Sequence, residues 1–377
     1  RQLNYTDPNL KNTPSLNSRI AYNDQFFNKL VQSNTRYETN SGTMPFQDYT
    51  YVEVPAGQGK YTWNDYNGDG IKDLEEFEIA PFSDLATYTR IFLPNQIYIK
   101  TNQNRFSQSF TINPAIWQND STYKKTLSHF YMQTSFIMDR KIKNDGQHLE
   151  LNPFQSSDDD MLGLIKTFTN SLYFNRGKRD HSVTYTFTKN ETQNLLSIGT
   201  IKNNNNFHQL EYQHLLHKSW LFDLVAKKLY NATESQTFAE KNYTIEGYLY
   251  MPKISYLFSK NVNLDLFYEY INKENQIGSL DILTQNRFGT AFSYTGTSKF
   301  NINSEISLYK NDFTGNEYSS AGYQMLEGLQ KGQNITWRTL FQVNLTKFLD
   351  LNLVYQGRKS EASDAIHTGS VELRAYF

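Results

Sequence analysis

The chain has 377 residues, with 37 basic and 38 acidic side chains, and it contains no cysteine. The lack of cysteine excludes a disulfide framework, a cysteine zinc site and a cysteine nucleophile. The net charge of −1 gives no electrostatic case for nucleic acid as a partner. No window approaches 18 consecutive apolar residues, so the sequence predicts no transmembrane helix.

Residues 1–16 are predicted to be an N-terminal lead-in segment. Residues 17–377 are predicted to form one β domain. Apolar and polar residues alternate from about Ala21 onward, which is the period of a half-buried strand. The first predicted strands cover 17–25, 29–40 and 46–55. A long segment, 56–95, then interrupts the alternation.

The stretch DYNGDGIKDLEE within this segment has the spacing of an EF-hand-type calcium loop. Gly70 falls at the sixth position, where the chain must turn sharply, and Ile71 would offer only its backbone carbonyl. The ion would be structural and would hold the long loop in place. The predicted Ca²⁺ ligands are Asp65, Asn67, Asp69, Ile71, Asp73 and Glu76.

Two features of this stretch depart from a true EF-hand. Lys72 stands where an aliphatic residue is usual, and no helix pair is predicted on either side. The alternative interpretation is a polar turn, because Asn-Gly and Asp-Gly favour turns without any ion.

From residue 96 the alternation returns, for example in FNINSEISLY (300–309) and LDLNLVYQGR (349–358). Short turns that contain a lysine alternate with longer polar loops. These features predict an all-β, antiparallel, transmembrane outer-membrane β-barrel of about 14–16 strands, with short periplasmic turns and long extracellular loops. The lysines of the short turns are Lys218, Lys260, Lys299 and Lys347.

The last predicted strand, HTGSVELRAYF, is apolar at every second position and ends on Phe377. In hydrocarbon it would pair with the first strand of the barrel and leave no open edge. On the last two strands, Leu351, Leu353, Val371 and Leu373 are expected to face lipid, and Asn352, Arg358, Glu372 and Arg374 the lumen. This ending resembles the C-terminal signal that the barrel-assembly machinery reads in Gram-negative outer-membrane proteins.

Three segments together resemble the C-terminal region of very large outer-membrane surface proteins without an assigned activity. The segments are FFNKLVQSNTRYETNSG, VEVPAGQGKYTWNDYNGDGIKDLEEFEIAPFSDLATYTRIFLP and the ending HTGSVELRAYF. Such proteins occur in Gram-negative bacteria that also carry nutrient-importing barrel–lipoprotein pairs and a gliding-type secretion system. The resemblance implies an outer-membrane location and supports a calcium-type loop.

Three functions are compatible with this sequence. The favoured one is a non-enzymatic anchor or accessory subunit of a larger surface or secretion/transport assembly. Its partners would be the lipid bilayer and lipopolysaccharide, the barrel-assembly machinery and possible surface lipoproteins or other envelope subunits. The others are a free porin-like channel and a rim hydrolase, for which His148 with Asp145 and the acidic run 158–160 is the candidate.

Overall fold

The structure is a computed structural model that describes residues 15–144, 151–154, 160–196, 198–278, 280–296 and 300–376. These residues form seventeen strands in one sheet and two short helices. The strands are β1 Asn17–Phe26, β2 Val31–Glu53, β3 Tyr61–Trp63, β4 Phe77–Ile79, β5 Tyr88–Ile112, β6 Phe130–Lys143, β7 Met161–Phe174, β8 Ser182–Leu196, β9 Gly199–Leu216, β10 Trp220–Ser235, β11 Tyr243–Leu257, β12 Val262–Asn275, β13 Ile282–Thr295, β14 Phe300–Thr314, β15 Gly332–Thr346, β16 Leu349–Ser360 and β17 Ile366–Ala375. The helices are α1 Tyr123–Leu127 and α2 Ser320–Leu326.

The long strands form a simple meander. Each pairs with the next long strand along the chain, and every pairing is antiparallel. The two three-residue strands, β3 and β4, form a hairpin within the connection between β2 and β5. The predicted all-β, antiparallel architecture is therefore confirmed.

The two outer strands of the meander, β1 and β17, run in the same direction. When the short strands β3 and β4 are left out, fifteen strands of ten residues or more remain, which is an odd number. Among the described residues no pairing joins β1 to β17, so the predicted closure into a barrel is not seen there. An all-antiparallel ring needs an even number of strands, and direct pairing of these two would have to be parallel.

The count differs from the upper prediction of sixteen because two predicted strands, 29–40 and 46–55, are one strand, β2. Gly42 and Pro45 stay extended because β5 pairs with both. β1 pairs with β2 only as far as Asn40, so the rest of the β2–β5 ribbon extends beyond this neighbour. A proline, which has no N–H to donate, is tolerated on such an edge.

The two faces of the sheet differ in character, as the alternation predicts. On β12, Leu266 and Tyr268 are exposed on one face, whereas Phe267, Glu269 and Ile271 are buried on the other. We call the face of β12 that carries Phe267 inner and the opposite face outer. The segment 151–154 also covers part of the outer face of β5 and β6. Because directly paired residues of neighbouring strands share a face, the registers assign every other strand in the same way.

Connections at the two ends of the sheet differ in length. At one end, called the turn end, lie the short turns that contain Lys218, Lys260 and Lys347, whereas Lys299 lies outside the described residues. The connection between β5 and β6 is also at this end, but it contains α1 and is longer than the short turns predicted there. We call the opposite end the loop end.

A hydrophobic cluster lies against the inner face at the loop end. Helix α2 is buried there along with inward side chains of β11, β13 and β14. Its members are Tyr243, Ile245, Leu283, Phe313, Ala321, Met325 and Leu326. None of the helices in the described ranges has both the length and the apolar character needed to cross a membrane.

Candidate functional site: the lid at the loop end

The connection between β2 and β5, residues 54–87, is folded and is here called the lid. Its own core is aromatic: the ring of Phe77 stacks on Tyr51 at 4.0 Å and meets Tyr88 edge-on at 5.0 Å. The β3–β4 hairpin places Phe77 there by pairing it with Trp63. The lid is therefore held by ring packing as well as by polar contacts.

The predicted calcium ligands at the start of the motif lie in one tight turn. Asp65 accepts hydrogen bonds from the backbone N–H groups of Gly68 at 2.7 Å and Gly70 at 3.0 Å. The carboxylate of Asp69 accepts from the N–H of Ile71 at 2.6 Å, and the amide oxygen of Asn67 accepts from the N–H of Asp69 at 3.0 Å. Gly70 has a φ of 72°, a left-handed conformation suited to glycine.

The last predicted ligand, Glu76, is directed elsewhere. It is fully buried, and its carboxylate accepts from the indole N–H of Trp63 at 2.7 Å and the backbone N–H of Tyr66 at 3.0 Å. Asp73 precedes a turn of 3-10 helix and makes no side-chain capping bond. Within the described ranges, no three His, Asp or Glu side chains converge into a metal-binding group.

A buried lysine connects the lid to the β10–β11 connection. The ammonium of Lys241 donates to the backbone carbonyl of Glu75 at 2.6 Å and to the carboxylate of Glu78 at 2.5 Å. The hydroxyl of Tyr66 donates to the same carboxylate at 3.0 Å. Burial, and then the negative charge of Glu78, raise the pKa of Tyr66, so this phenol stays neutral and remains a donor.

The β14–β15 connection, which carries α2, contacts the lid from another side. The hydroxyl of Tyr323 on α2 donates to the backbone carbonyl of Ile79 at 2.9 Å. Gly328 lies so close to Pro81 and Phe82 that a side chain there would collide with them. Because α2 also belongs to the buried cluster, this contact ties the lid to the inner wall.

A third contact, here called the clasp, joins the lid to β16. The guanidinium of Arg358 forms two parallel bonds to the carboxylate of Asp84, at 2.5 and 2.7 Å, and lies 4.3 Å from the ring centre of Phe82. Next to it, Gln356 donates to the hydroxyl of Ser83 at 3.3 Å. A bidentate pair of this kind fixes both distance and orientation.

A cavity of about 580 Å³ lies between the lid and the inner face. Its charges mostly compensate each other: Arg287 pairs with Glu305 at 2.5 Å and with Glu269 at 3.6 Å. Arg338, by contrast, is exposed and forms no ion pair with the described residues. The cavity therefore has no single-sign field that would select an ion.

The sequence placed Arg358 on the inner face but gave no sign of the lid residues that it binds. It also did not single out Lys241 or Asp84. A local sequence pattern cannot show either contact, because the partner of each residue is more than 160 positions away along the chain. The candidate hydrolase residues His148 and Asp145, and 158–159, lie outside the described residues.

Comparisons with known proteins give little further information. No family model matches the chain, and no curated protein matches it either. One solved structure that resembles it is the β domain of the Bordetella autotransporter BrkA. The likeness has a TM-score of 0.28 at 9% identity and covers 66% of this chain and 92% of that one. A similarity of this size supports no conclusion about this chain.

Proposed function

We propose that this chain is an integral outer-membrane β-barrel without catalytic activity. The observation that carries the proposal is the outer face, where large apolar side chains are exposed on strand after strand. Examples are Leu266 at 46%, Phe288 at 53% and Ile306 at 52% exposed. A water-soluble protein rarely exposes a continuous apolar surface of this extent, whereas a membrane strand needs one on alternate residues.

We further propose that the barrel is an anchor or accessory subunit of a larger surface or secretion/transport assembly. The three contacts of the lid favour this over a free porin, because a loop fixed by Lys241, Tyr323 and Arg358 narrows the loop end of any lumen. Surface lipoproteins or other envelope subunits are the proposed protein partners. The barrel-assembly machinery would insert the chain during biogenesis.

The decisive experiment compares arginine on the two faces of β16. Leu353→Arg places a charge on the outer face, at an expected cost of about 2–4 kcal/mol in the bilayer. Asn352→Arg places the same charge on the inner face, where Asn352 bonds the carboxylate of Glu372 at 3.2 Å. We expect only Leu353→Arg to lower the amount of protein in purified outer membranes. Equal amounts of both variants would contradict the proposal.

A second candidate function, a channel for polar solutes, is favoured by the inner face of β8. Its inward positions carry only uncharged polar groups: Thr184, Thr186, Thr188, Asn190 and Thr192. Cross-strand bonds such as that from Thr167 to Asn190, at 2.9 Å, hold this wall in order. Single-channel conductance in planar bilayers separates the two candidates, because an accessory barrel with a closed lid should show no steady current.

We also propose a structural Ca²⁺ at the motif in the lid. Asp65, Asn67 and Asp69 offer hard oxygen donors from one turn, which is the ligand type that Ca²⁺ takes. Glu76 could join them only by giving up its bond to Trp63. The ion would neutralise the acidic side chains of this turn and so stabilise the lid.

Terbium luminescence tests the calcium proposal, because Tb³⁺ is a calcium analogue that a nearby indole sensitises. Trp63 lies beside the motif, so we expect emission that added Ca²⁺ abolishes. Asp69→Ala should remove the emission, whereas Asp364→Ala, in the exposed β16–β17 connection, should leave it unchanged. Emission that is equal in both variants would leave only a polar turn.

A further inference from the structure

Three lysines on the outer face lie at a similar distance from the turn end. Lys228 is eight residues beyond the start of β10, and Lys310 and Lys359 are ten residues beyond the starts of β14 and β16. At about 3.3 Å per residue and a tilt of about 40°, this puts them roughly 20–25 Å above the turn end. That is close to the height of the apolar band of an outer-membrane barrel, about 25 Å.

Neighbouring residues show that these lysines point outward. Asn311, next to Lys310, is fully buried on the inner face, and Leu308, two residues away, is 48% exposed. Arg358, next to Lys359, forms the inward clasp. Leu229, next to Lys228, packs against the buried cluster inside.

On β10 and β14 the outer face below the lysines is apolar down to the turn end except at Ser304. On β10 the outward residues are Trp220, Phe222, Leu224 and Ala226. On β14, Ile302, Ile306 and Leu308 occupy the same band. The lysines therefore mark the upper boundary of the band, where long side chains can keep their stems in apolar surroundings and their ammonium groups in a polar layer.

Their charges have no acidic partner among the described residues. Lys228, Lys310 and Lys359 are exposed, and none forms an ion pair within the part of the chain that the structure describes. The ammonium of Lys228 lies 5.7 Å from the ring centre of Tyr248, a contact that holds it near the wall. The nearest acids along the outer face, such as Asp312 on β14, lie one outward position further from the band.

Other strands show what happens where a carboxylate is available at this height. Lys166 and Lys189 both bind Glu191, at 2.9 and 2.6 Å. The three unpaired lysines thus differ from these two in lacking an internal anion. An anion from outside the protein can take that place.

We propose that Lys228, Lys310 and Lys359 bind the phosphate groups of lipopolysaccharide in the leaflet at the loop end. Phosphate is a strong anionic acceptor that lipid head groups carry at the boundary of the apolar layer, and an ammonium binds it as a point charge. This inference rests on the proposed outer-membrane function. It adds a specific lipid site, on one side of the sheet, to the general contact with the bilayer.

The test uses the full-length protein in detergent and counts bound lipid by native mass spectrometry, with diphosphoryl lipid A as the probe. One variant replaces Lys228, Lys310 and Lys359 by Gln. The matched control replaces three exposed lysines of the turn end, Lys29, Lys218 and Lys260, by Gln and so removes the same charge.

We expect wild type and control to retain lipid A, and the variant without Lys228, Lys310 and Lys359 to retain at least several-fold less. Lipid A from which both phosphates have been removed should bind equally weakly to all three proteins. Equal retention of diphosphoryl lipid A by the two variants would overturn the proposal. So would displacement of the lipid by millimolar inorganic phosphate, because the site would then hold free phosphate.

A separate arm keeps this result distinct from failure of the proposed function. All three proteins are mixed with preformed liposomes of neutral lipid and floated on a density gradient. Flotation of every protein, together with loss of lipid A by the variant without Lys228, Lys310 and Lys359, supports the site. Flotation of every protein with no difference in lipid A removes the lysine site alone, whereas proteins that do not float contradict the membrane proposal itself.

Discussion

The clasp between Arg358 and Asp84 should control how often the lid opens. Both side chains are mostly buried, at 11% and 20% exposed, and the pair is bidentate. Removal of one partner from a buried pair costs about 3–5 kcal/mol, and the residual exposure reduces this to about 2–3 kcal/mol here. Arg358→Ala should therefore raise the population of the open lid by about 30- to 150-fold, since about 1.4 kcal/mol corresponds to a factor of ten.

The absence of native cysteine makes this measurable. Ala86 in the lid is only 6% exposed, so Ala86→Cys places a single thiol that a reagent reaches when the lid opens. The labelling rate of this thiol reports the open population as long as closing is faster than labelling. We expect Arg358→Ala to raise the rate by the factor above, and Arg358→Lys to raise it less, because one ammonium keeps the charge but loses the second bond.

Arg338→Ala is the matched control, since Arg338 is also an inward arginine of the same cavity but forms no ion pair with the described residues. It removes the same charge and a similar volume, yet it should leave the labelling rate close to that of the parent. If Arg358→Ala and Arg338→Ala accelerate labelling equally, the clasp does not hold the lid. The effect would then come from the net charge of the cavity.

Three further predictions address orientation, packing and pH. In intact cells an impermeant thiol reagent should label Ala362→Cys, in the exposed β16–β17 connection at the loop end. It should label Lys218→Cys at the turn end only after the outer membrane is opened, and the reverse pattern would invert the topology. Gly289→Ala should lower the free energy of unfolding, measured by thermal denaturation, by about 1–3 kcal/mol, because a methyl group there overlaps the ring of its partner Phe267 on β12. Gly42→Ala, which has no neighbouring atom within 4 Å, should not lower it. Burial raises the pKa of Tyr66, so the closed lid keeps this proton more tightly than the open lid and loses stability as pH rises above about 10. Limited proteolysis between pH 9 and 11 should show this loss as faster cleavage of the lid at higher pH. If a Tyr66→Phe variant shows the same pH dependence of cleavage, another group causes the loss.

The sequence predicts the strands well because the period of two is a local property. On β14 and β16 each residue's face follows from its neighbours, and Ile306 and Leu308 are exposed on the outer face as the alternation predicts. The division at 40–46 was wrong for a local reason as well. Gly42 and Pro45 are poor strand residues, but they lie where β2 extends past β1 and is paired by β5.

In the lid, the sequence predicts the local turn but not the contacts between distant residues. The turn around Asp65 follows from Asn-Gly and Asp-Gly, and the structure has it. The bond from Trp63 to Glu76 and the ion pair of Lys241 with Glu78 depend on a packed environment that no window of sequence contains. Helix α2 was missed because seven residues give too little helical periodicity, although Ser319 caps it through a bond from the N–H of Gly322 at 2.9 Å.

The clasp also has a consequence for the order of assembly. Asp84 is synthesised before Arg358, which follows 274 positions later. Loop closure over such a separation is among the slowest steps of folding. The clasp can form only after β16 has joined the sheet. Until then the lid is not bound by Arg358. Formation of the clasp therefore distinguishes a chain in which β16 has folded from one that stalled before β16, and a quality-control protease can distinguish the two by the state of the lid.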